Sequence, residues 1–174
     1  MTRRGRRYGV LLATIALLLA SACSSGNDQH GGKEAPLETK RKADVEAAAR
    51  SQADAIAALA GGPLEAWRTS TTACEGRNGE IAEDGRWDLA GFAHVKLPGD
   101  KHAAALRAVH DKWQAEGWEI SAYQTQADGG VLSGRDPHTG LSFTLASSKP
   151  PIQIAVTVAS PCYQPAEGED PANG

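Results

Sequence analysis

The chain has 174 residues, of which 41% are hydrophobic and 22% are charged, and its formal net charge is −3. This length and composition are typical of one globular domain and exclude a large multidomain protein. Because the net charge is negative and no basic stripe follows the first seven residues, we expect no nucleic-acid-binding surface.

The amino terminus has the pattern of an export signal. Four arginines lie within residues 3–7 without an acidic residue, and residues 10–20 follow with Thr14 as the only polar side chain. As a helix, these eleven residues span about 16 Å, roughly half of a ~30 Å hydrocarbon core, so the segment is too short for a standard membrane span. The pair Arg6-Arg7 leaves twin-arginine export open, although the Tyr-Gly-Val that follows favours the general secretory route.

The apolar segment ends in Leu19-Ala20-Ser21-Ala22-Cys23. This run resembles the lipobox of bacterial lipoproteins, in which an aliphatic or small residue and two small residues precede a lipidated cysteine. The resemblance implies a signal peptide over residues 1–22, a diacylglyceryl thioether on Cys23 and an anchor in the cell membrane. An ordinary secretory signal is the alternative. Loss of the four arginines would leave 14 basic and 21 acidic residues, a net charge of −7, so attachment would depend on acyl chains and not on a basic patch.

Composition divides the rest of the chain into three parts. Residues 23–38 are polar and glycine-rich after the cysteine, which predicts a flexible tether. Residues 39–163 contain enough apolar residues for a core, and we expect a single folded domain there. Residues 164–174 are again polar and rich in Pro and Gly, which predicts a disordered tail.

Two segments of the domain have helical patterns. Residues 42–60 are rich in strong helix formers and end before Gly61-Gly62-Pro63. Residues 100–116 form the second predicted helix, with Asp100 as its N-cap and Gly117 as its stop. The predicted apolar faces are Val45, Ala49, Ala53, Ile56 and Ala60 in the first helix, and Ala103, Leu106, Val109, His110 and Trp113 in the second.

The other segments alternate with a period of two residues, which predicts strands separated by Gly- and Pro-containing turns. The predicted strands lie within residues 67–74, 87–95, 118–124, 131–135, 141–145 and 152–158, with turns at residues 128–130 and 136–140. One side of the third strand is predicted to carry Trp118, Ile120, Ala122 and Gln124. This order predicts an α+β fold, an antiparallel sheet of about five to six strands with two helices on one face. Helices on opposite faces are the alternative.

Two cysteines remain once Cys23 is assigned to the lipid. Cys74 and Cys162 lie at the ends of the first and last predicted strands, in a chain that is predicted to leave the reducing cytosol, so we expect them to form a disulfide. A redox-active pair is disfavoured because a CxxC spacing is absent. Free or intermolecular thiols are the other alternative.

The tryptophans indicate a candidate binding surface. Trp87 and Trp118 begin strands and Trp113 ends a helix, so the three rings are predicted to meet at one end of the domain. A core cluster is the simpler interpretation, and a ligand groove or partner surface is the alternative.

Motifs for metal binding and catalysis are absent. His102 and His110 share a predicted helix, but no HExxH-type spacing accompanies them, so we expect no metal site and surface or half-buried histidines. The sequence contains no GxSxG elbow, no SxxK motif and no free cysteine for a Cys/His pair, and we expect neither enzymatic activity nor a cofactor.

The short Arg-rich signal, lipobox, polar tether and single Cys-stapled domain together resemble the small actinobacterial lipoproteins of unknown function. The resemblance implies a location on the extracytoplasmic face of the cell membrane, and it implies no active site. We therefore expect a non-enzymatic binding or interaction module of the cell envelope, with an envelope protein or component as its partner. A carrier of a small apolar ligand or lipid, held between sheet and helices, is the alternative.

Overall fold

Six antiparallel strands form the main sheet of the domain, and two helices cover one of its faces. The computed structural model describes residues 37–172 apart from 77 and 128, all of which belong to one compact unit. The predicted signal peptide, Cys23 and residues 24–36 of the predicted tether lie outside the described residues. The elements are β1 Thr39–Lys40, α1 Lys42–Ala60, β2 Leu64–Ala73, β3 Trp87–Lys96, α2 Gly99–Ala115, β4 Glu119–Gln126, β5 Gly129–Arg135, β6 Ser142–Ser147, β7 Gln153–Ala159 and β8 Gln164–Pro165.

The strand order of the main sheet is β2-β3-β7-β6-β5-β4, and all neighbouring strands are antiparallel. Helices α1 and α2 contact each other, and their buried residues join the inward side chains of the strands in one hydrophobic cluster. Both helices therefore lie on the same face, and the arrangement with one helix on each face does not occur. The α+β class with a six-stranded antiparallel sheet is confirmed.

Helix α1 has the predicted bounds and the predicted apolar face. It ends because Gly61 adopts a left-handed conformation with φ of 85° and donates its N–H to the carbonyls of Ala57 and Ala58. The small side chains of Ala49 and Ala53 are completely buried, which lets the helix pack closely on the core. Within the described residues, neither helix is both long and apolar enough to cross a bilayer.

Helix α2 begins differently from the prediction. Pro98 is its N-cap and makes no side-chain capping bond, while Asp100 lies inside the first turn, so the assignment of Asp100 as N-cap is wrong. Pro98 has an extended ψ of 144°, and its carbonyl accepts from the N–H of Lys101 at 2.9 Å, so the N-cap lies two residues before the predicted one. His102 is fully buried, so the prediction of a surface or half-buried residue is wrong for it, and its Nε2 donates to the carbonyl of Leu97 at 2.8 Å.

A β-bulge changes the predicted face of β4. Ile120 pairs with Gly134 and Ala122 with Ser133, so Ser121 is an extra residue in the ladder. Beyond the bulge the alternation is reversed. Tyr123 therefore points inward and Gln124 outward, and the prediction that Gln124 shares a side with Ile120 is wrong.

Two predictions near the carboxyl end are also wrong. Ile152 lies outside β7 and is 63% exposed, because its N–H bonds to the carbonyl of Pro150 within the preceding turn. The segment 164–172, predicted to be a disordered tail, is packed against the domain. Its strand β8 pairs in parallel with β1, and the Thr71 hydroxyl donates to the carbonyl of Pro171 at 2.6 Å.

The packed tail also completes helix α1. Arg41, the N-cap residue, makes no side-chain capping bond. The backbone N–H of Lys42 donates instead to the carboxylate of Glu169 at 3.1 Å. An acidic group at this end of a helix satisfies one of its unpaired N–H groups and interacts favourably with its dipole.

Cys74 and Cys162 form the predicted disulfide. Their Cα atoms are 6.1 Å apart across a sequence separation of 88 residues. The bond joins the segment after β2, an edge strand, to the segment that follows β7. It therefore connects the first part of the sheet with the start of the packed tail.

Candidate binding cleft

An open cleft lies between the second halves of α1 and α2 and the turn that connects β5 to β6. Its volume is about 410 Å³, which lies within the range of small-molecule sites. We call it the helix cleft. Its lining residues are Gln52, Ala55, Ile56, Leu59, Lys112, Trp113, Glu116, Trp118, Asp136 and His138.

A stacked pair of tryptophans forms one wall of the helix cleft. The rings of Trp113 and Trp118 are 4.3 Å apart between centroids and nearly parallel, with an interplanar angle of 5°. The pair forms because Gly117, with φ of 78°, reverses the chain between them, and the Trp118 N–H donates to the Trp113 carbonyl at 3.0 Å. Trp113 is buried and Trp118 is half-buried, so Trp118 presents aromatic surface to the cleft.

A glycine in the sheet makes room for this pair. A Cβ atom at Gly134 would lie 2.9 Å from Cε3 of Trp113, closer than Cβ contacts normally come. Phe143 packs against the second ring of the pair, Trp118, with the two ring centroids 6.1 Å apart. The positions of both rings therefore depend on the sheet beneath them.

The third predicted member, Trp87, is not part of the helix cleft. It is fully buried, and its ring packs against Tyr163 with centroids 5.6 Å apart. Of the three predicted tryptophans, the structure thus brings together Trp113 and Trp118. For Trp87 the simpler interpretation, a core residue, describes the observed environment.

A buried carboxylate also lines the helix cleft. Asp136 is 4% exposed and accepts hydrogen bonds from the backbone N–H of His138 at 2.9 Å, the Thr139 hydroxyl at 2.8 Å and the Gln52 side-chain amide. Burial acts to raise the pKa of Asp136, but these hydrogen bonds outweigh it, and the pKa is lowered from its ordinary value. Asp136 is therefore ionised at neutral pH.

Asp136 forms no ion pair within the described residues, and His138 is the one charged group that acts on its pKa, more weakly than the hydrogen bonds do. All three of its hydrogen-bond donors are neutral side chains or backbone. At the rim, Lys112 and Glu116 pair with each other at 2.7 Å, and each side chain is about half exposed. This pair is formally neutral, so Asp136 is the acidic side chain of the lining that no Lys or Arg of the described residues neutralises.

The cysteines and histidines that were considered for metal or redox chemistry have defined positions in the structure. Within the described part of the chain, one group of three potential metal ligands lies close enough together to hold an ion: Cys74, Asp88 and Cys162. Its two sulfur atoms are bonded to each other and cannot act as thiolates. His110 stacks on Tyr123, with ring centroids 3.8 Å apart.

Sequence reasoning missed Gln52 and Asp136. The segment Asp136–Gly140 was identified as a turn, and an Asp at its start is typical of side-chain-to-backbone turn bonds. The contact with Gln52 spans 84 residues in sequence, and a single sequence carries no signal for such a pairing.

Comparison with known proteins adds no assignment. No protein-family model, curated protein or solved structure matches this chain. The chemistry of the helix cleft therefore follows from its own residues. They supply apolar and aromatic surface and one unneutralised carboxylate, and they include neither Ser nor Cys as a nucleophile.

Proposed function

We propose that the protein is a lipid-anchored, non-enzymatic binding module on the extracytoplasmic face of the cell membrane, and that the helix cleft is its ligand site. The observation that carries the proposal is a cleft of about 410 Å³ lined by a stacked Trp pair and by an ionised Asp136 that forms no ion pair within the described residues. Rigid aromatic surface with a few polar groups is the usual composition of a recognition site.

The sequence and the disulfide support the extracytoplasmic location. The Arg-rich start, the apolar run and the lipobox ending at Cys23 form the pattern of an exported lipoprotein. The Cys74–Cys162 bond is the kind that persists in oxidising compartments. The partner is an envelope component that reaches the cleft from outside the membrane.

Carriage of an apolar ligand between the sheet and the helices is less well supported. The middle of this layer is filled by fully buried side chains, among them Ala53, Leu106 and Val156. The open volume lies at the edge of the layer, where Asp136 makes it polar on one side. We therefore prefer recognition at an open cleft to enclosure of a lipid within the layer.

The anchor is tested by metabolic labelling with radioactive palmitate, followed by membrane fractionation. We expect label in the wild-type protein, and neither label nor membrane association in Cys23→Ser. Equal labelling of the two proteins would contradict the proposed address.

The binding role is tested by native mass spectrometry of the mature protein, made in its own host and extracted in a mild detergent. We expect a reproducible small molecule bound at one copy per chain. Bare protein in repeated preparations would contradict a small-ligand site and favour an envelope protein as the partner.

A further inference from the structure

The walls of the helix cleft carry an electrostatic bias. Asp136 keeps a full negative charge in a wall that is nearly closed to water, and no Lys or Arg of the described residues pairs with it. Buried charges are normally neutralised by a partner or a bound ion, because water cannot screen them there. The neighbouring Lys112–Glu116 pair is exposed and leaves this excess charge uncompensated.

The aromatic part of the lining suits the same type of ligand. Trp118 offers part of its ring to the cleft, and indole is the aromatic side chain that attracts cations most strongly through its face. Ile56 and Leu59 add apolar surface from α1. A ligand that fits both parts of the lining therefore has an apolar or aromatic body and a positive charge.

We infer that the helix cleft binds an organic cation, namely a substituted ammonium group on an apolar or aromatic body. This inference rests on the proposed function, because it specifies the ligand class of the same cleft. The carboxylate of Asp136 is only slightly exposed, so it acts mainly through its electric field. The aromatic wall supplies the contact surface.

The inference is tested with three probes of similar size and different charge: benzylammonium, benzyl alcohol and benzoate. Each is titrated into the full mature protein in a nonionic detergent, and binding is followed by NMR at the indole N–H of Trp118, assigned with Trp118→Phe. Ala55→Trp, which fills the cleft from an exposed position on α1, controls for probe that partitions into the micelle.

We expect benzylammonium to bind about fivefold or more tightly than benzyl alcohol, and benzoate to bind most weakly. Added NaCl should reduce this preference only slightly, because salt screens a buried charge such as that of Asp136 much less than an exposed one. Equal affinity for the cation and the alcohol, or stronger binding of benzoate, would overturn the inference while leaving the cleft as a ligand site. Failure of all three probes to shift the Trp118 signal would overturn it too.

Charge variants at the rim keep the test independent of the fold, since Asp136 also holds its turn together. Lys112→Gln removes the positive charge and should tighten benzylammonium binding by about threefold, whereas Glu116→Gln should weaken it by a similar factor. Glu119→Gln, an exposed carboxylate of β4 that does not line the cleft, is the matched control and should change affinity by less than about twofold. The same response in all three variants would contradict a local charge effect.

A ligand seen by native mass spectrometry, together with no preference of the cleft for the cation, would leave the proposed function standing and reject the organic cation as the ligand class.

Discussion

Removal of the Cys74–Cys162 disulfide should cost a large share of the stability of the domain. In the chain-entropy relation, a bond that closes a separation of 88 residues contributes about 4 to 5 kcal/mol to the free energy of unfolding. Small domains have a total of roughly 5 to 15 kcal/mol. The bond also holds the start of the packed tail, which pairs β8 with β1 and supplies Glu169 to helix α1.

The measurement is urea unfolding of the mature protein, followed by tryptophan fluorescence, for the wild type and the double variant Cys74→Ala/Cys162→Ala. With a slope of about 2 kcal/mol per molar urea, the midpoint should fall by about 2 M. Reduced wild-type protein is the control and should unfold near the double variant. A loss below about 1 kcal/mol, with unchanged slope, would refute the reasoning that the cross-link acts through the unfolded chain.

Three smaller effects follow from individual contacts. Because the pKa of Asp136 is lowered on folding, its ionised form stabilises the protein above the unfolded pKa of about 3.9, and this stability is lost as pH falls. Asp136→Asn should therefore flatten the acid side of a stability–pH curve measured by urea unfolding. An unchanged curve would contradict this reasoning. Glu169→Gln removes the negative charge at the start of α1 and should cost about 0.5 to 1 kcal/mol in urea unfolding, whereas no cost would mean that the contact with Lys42 is absent in solution. Gly134→Ala should cost about 1 to 3 kcal/mol and alter the near-ultraviolet circular dichroism of the Trp pair, whereas a neutral result would mean that Trp113 can shift freely.

Elements with a strong local signal could be predicted from the sequence. Helix α1 has helix formers throughout and a glycine stop, so its bounds at Lys42 and Ala60 follow from local chemistry. The strands with strict alternation, such as Leu141–Phe143–Leu145, also have the predicted side buried. In these elements the local pattern and the tertiary packing favour the same structure.

The wrong predictions concern segments whose structure is set by tertiary contacts and not by the local sequence. The bulge at Ser121 is set by pairing with β5, and β4 contains no glycine that would indicate a bulge in the sequence. Period-two alternation alone therefore assigned Gln124 to the wrong face. The tail has the composition of a disordered segment, yet Cys162 and Tyr163 hold its start against the domain and β1 pairs with it. For the site, the Trp113–Trp118 pair could be anticipated from sequence proximity, whereas the contribution of Gln52 depends on a long-range contact.

The central claim, that the helix cleft holds the ligand of an anchored module, is tested most directly by comparing two tryptophan insertions on α1. Ala55 lines the cleft, and Ala58 is another exposed alanine on the same helix that does not line it. Native mass spectrometry of both variants, purified from host membranes beside the wild type, measures the fraction of chains that carry the co-purified small molecule. We predict that Ala58→Trp retains it and Ala55→Trp loses it. Equal occupancy in the two variants, or no bound molecule in the wild type, would contradict the account.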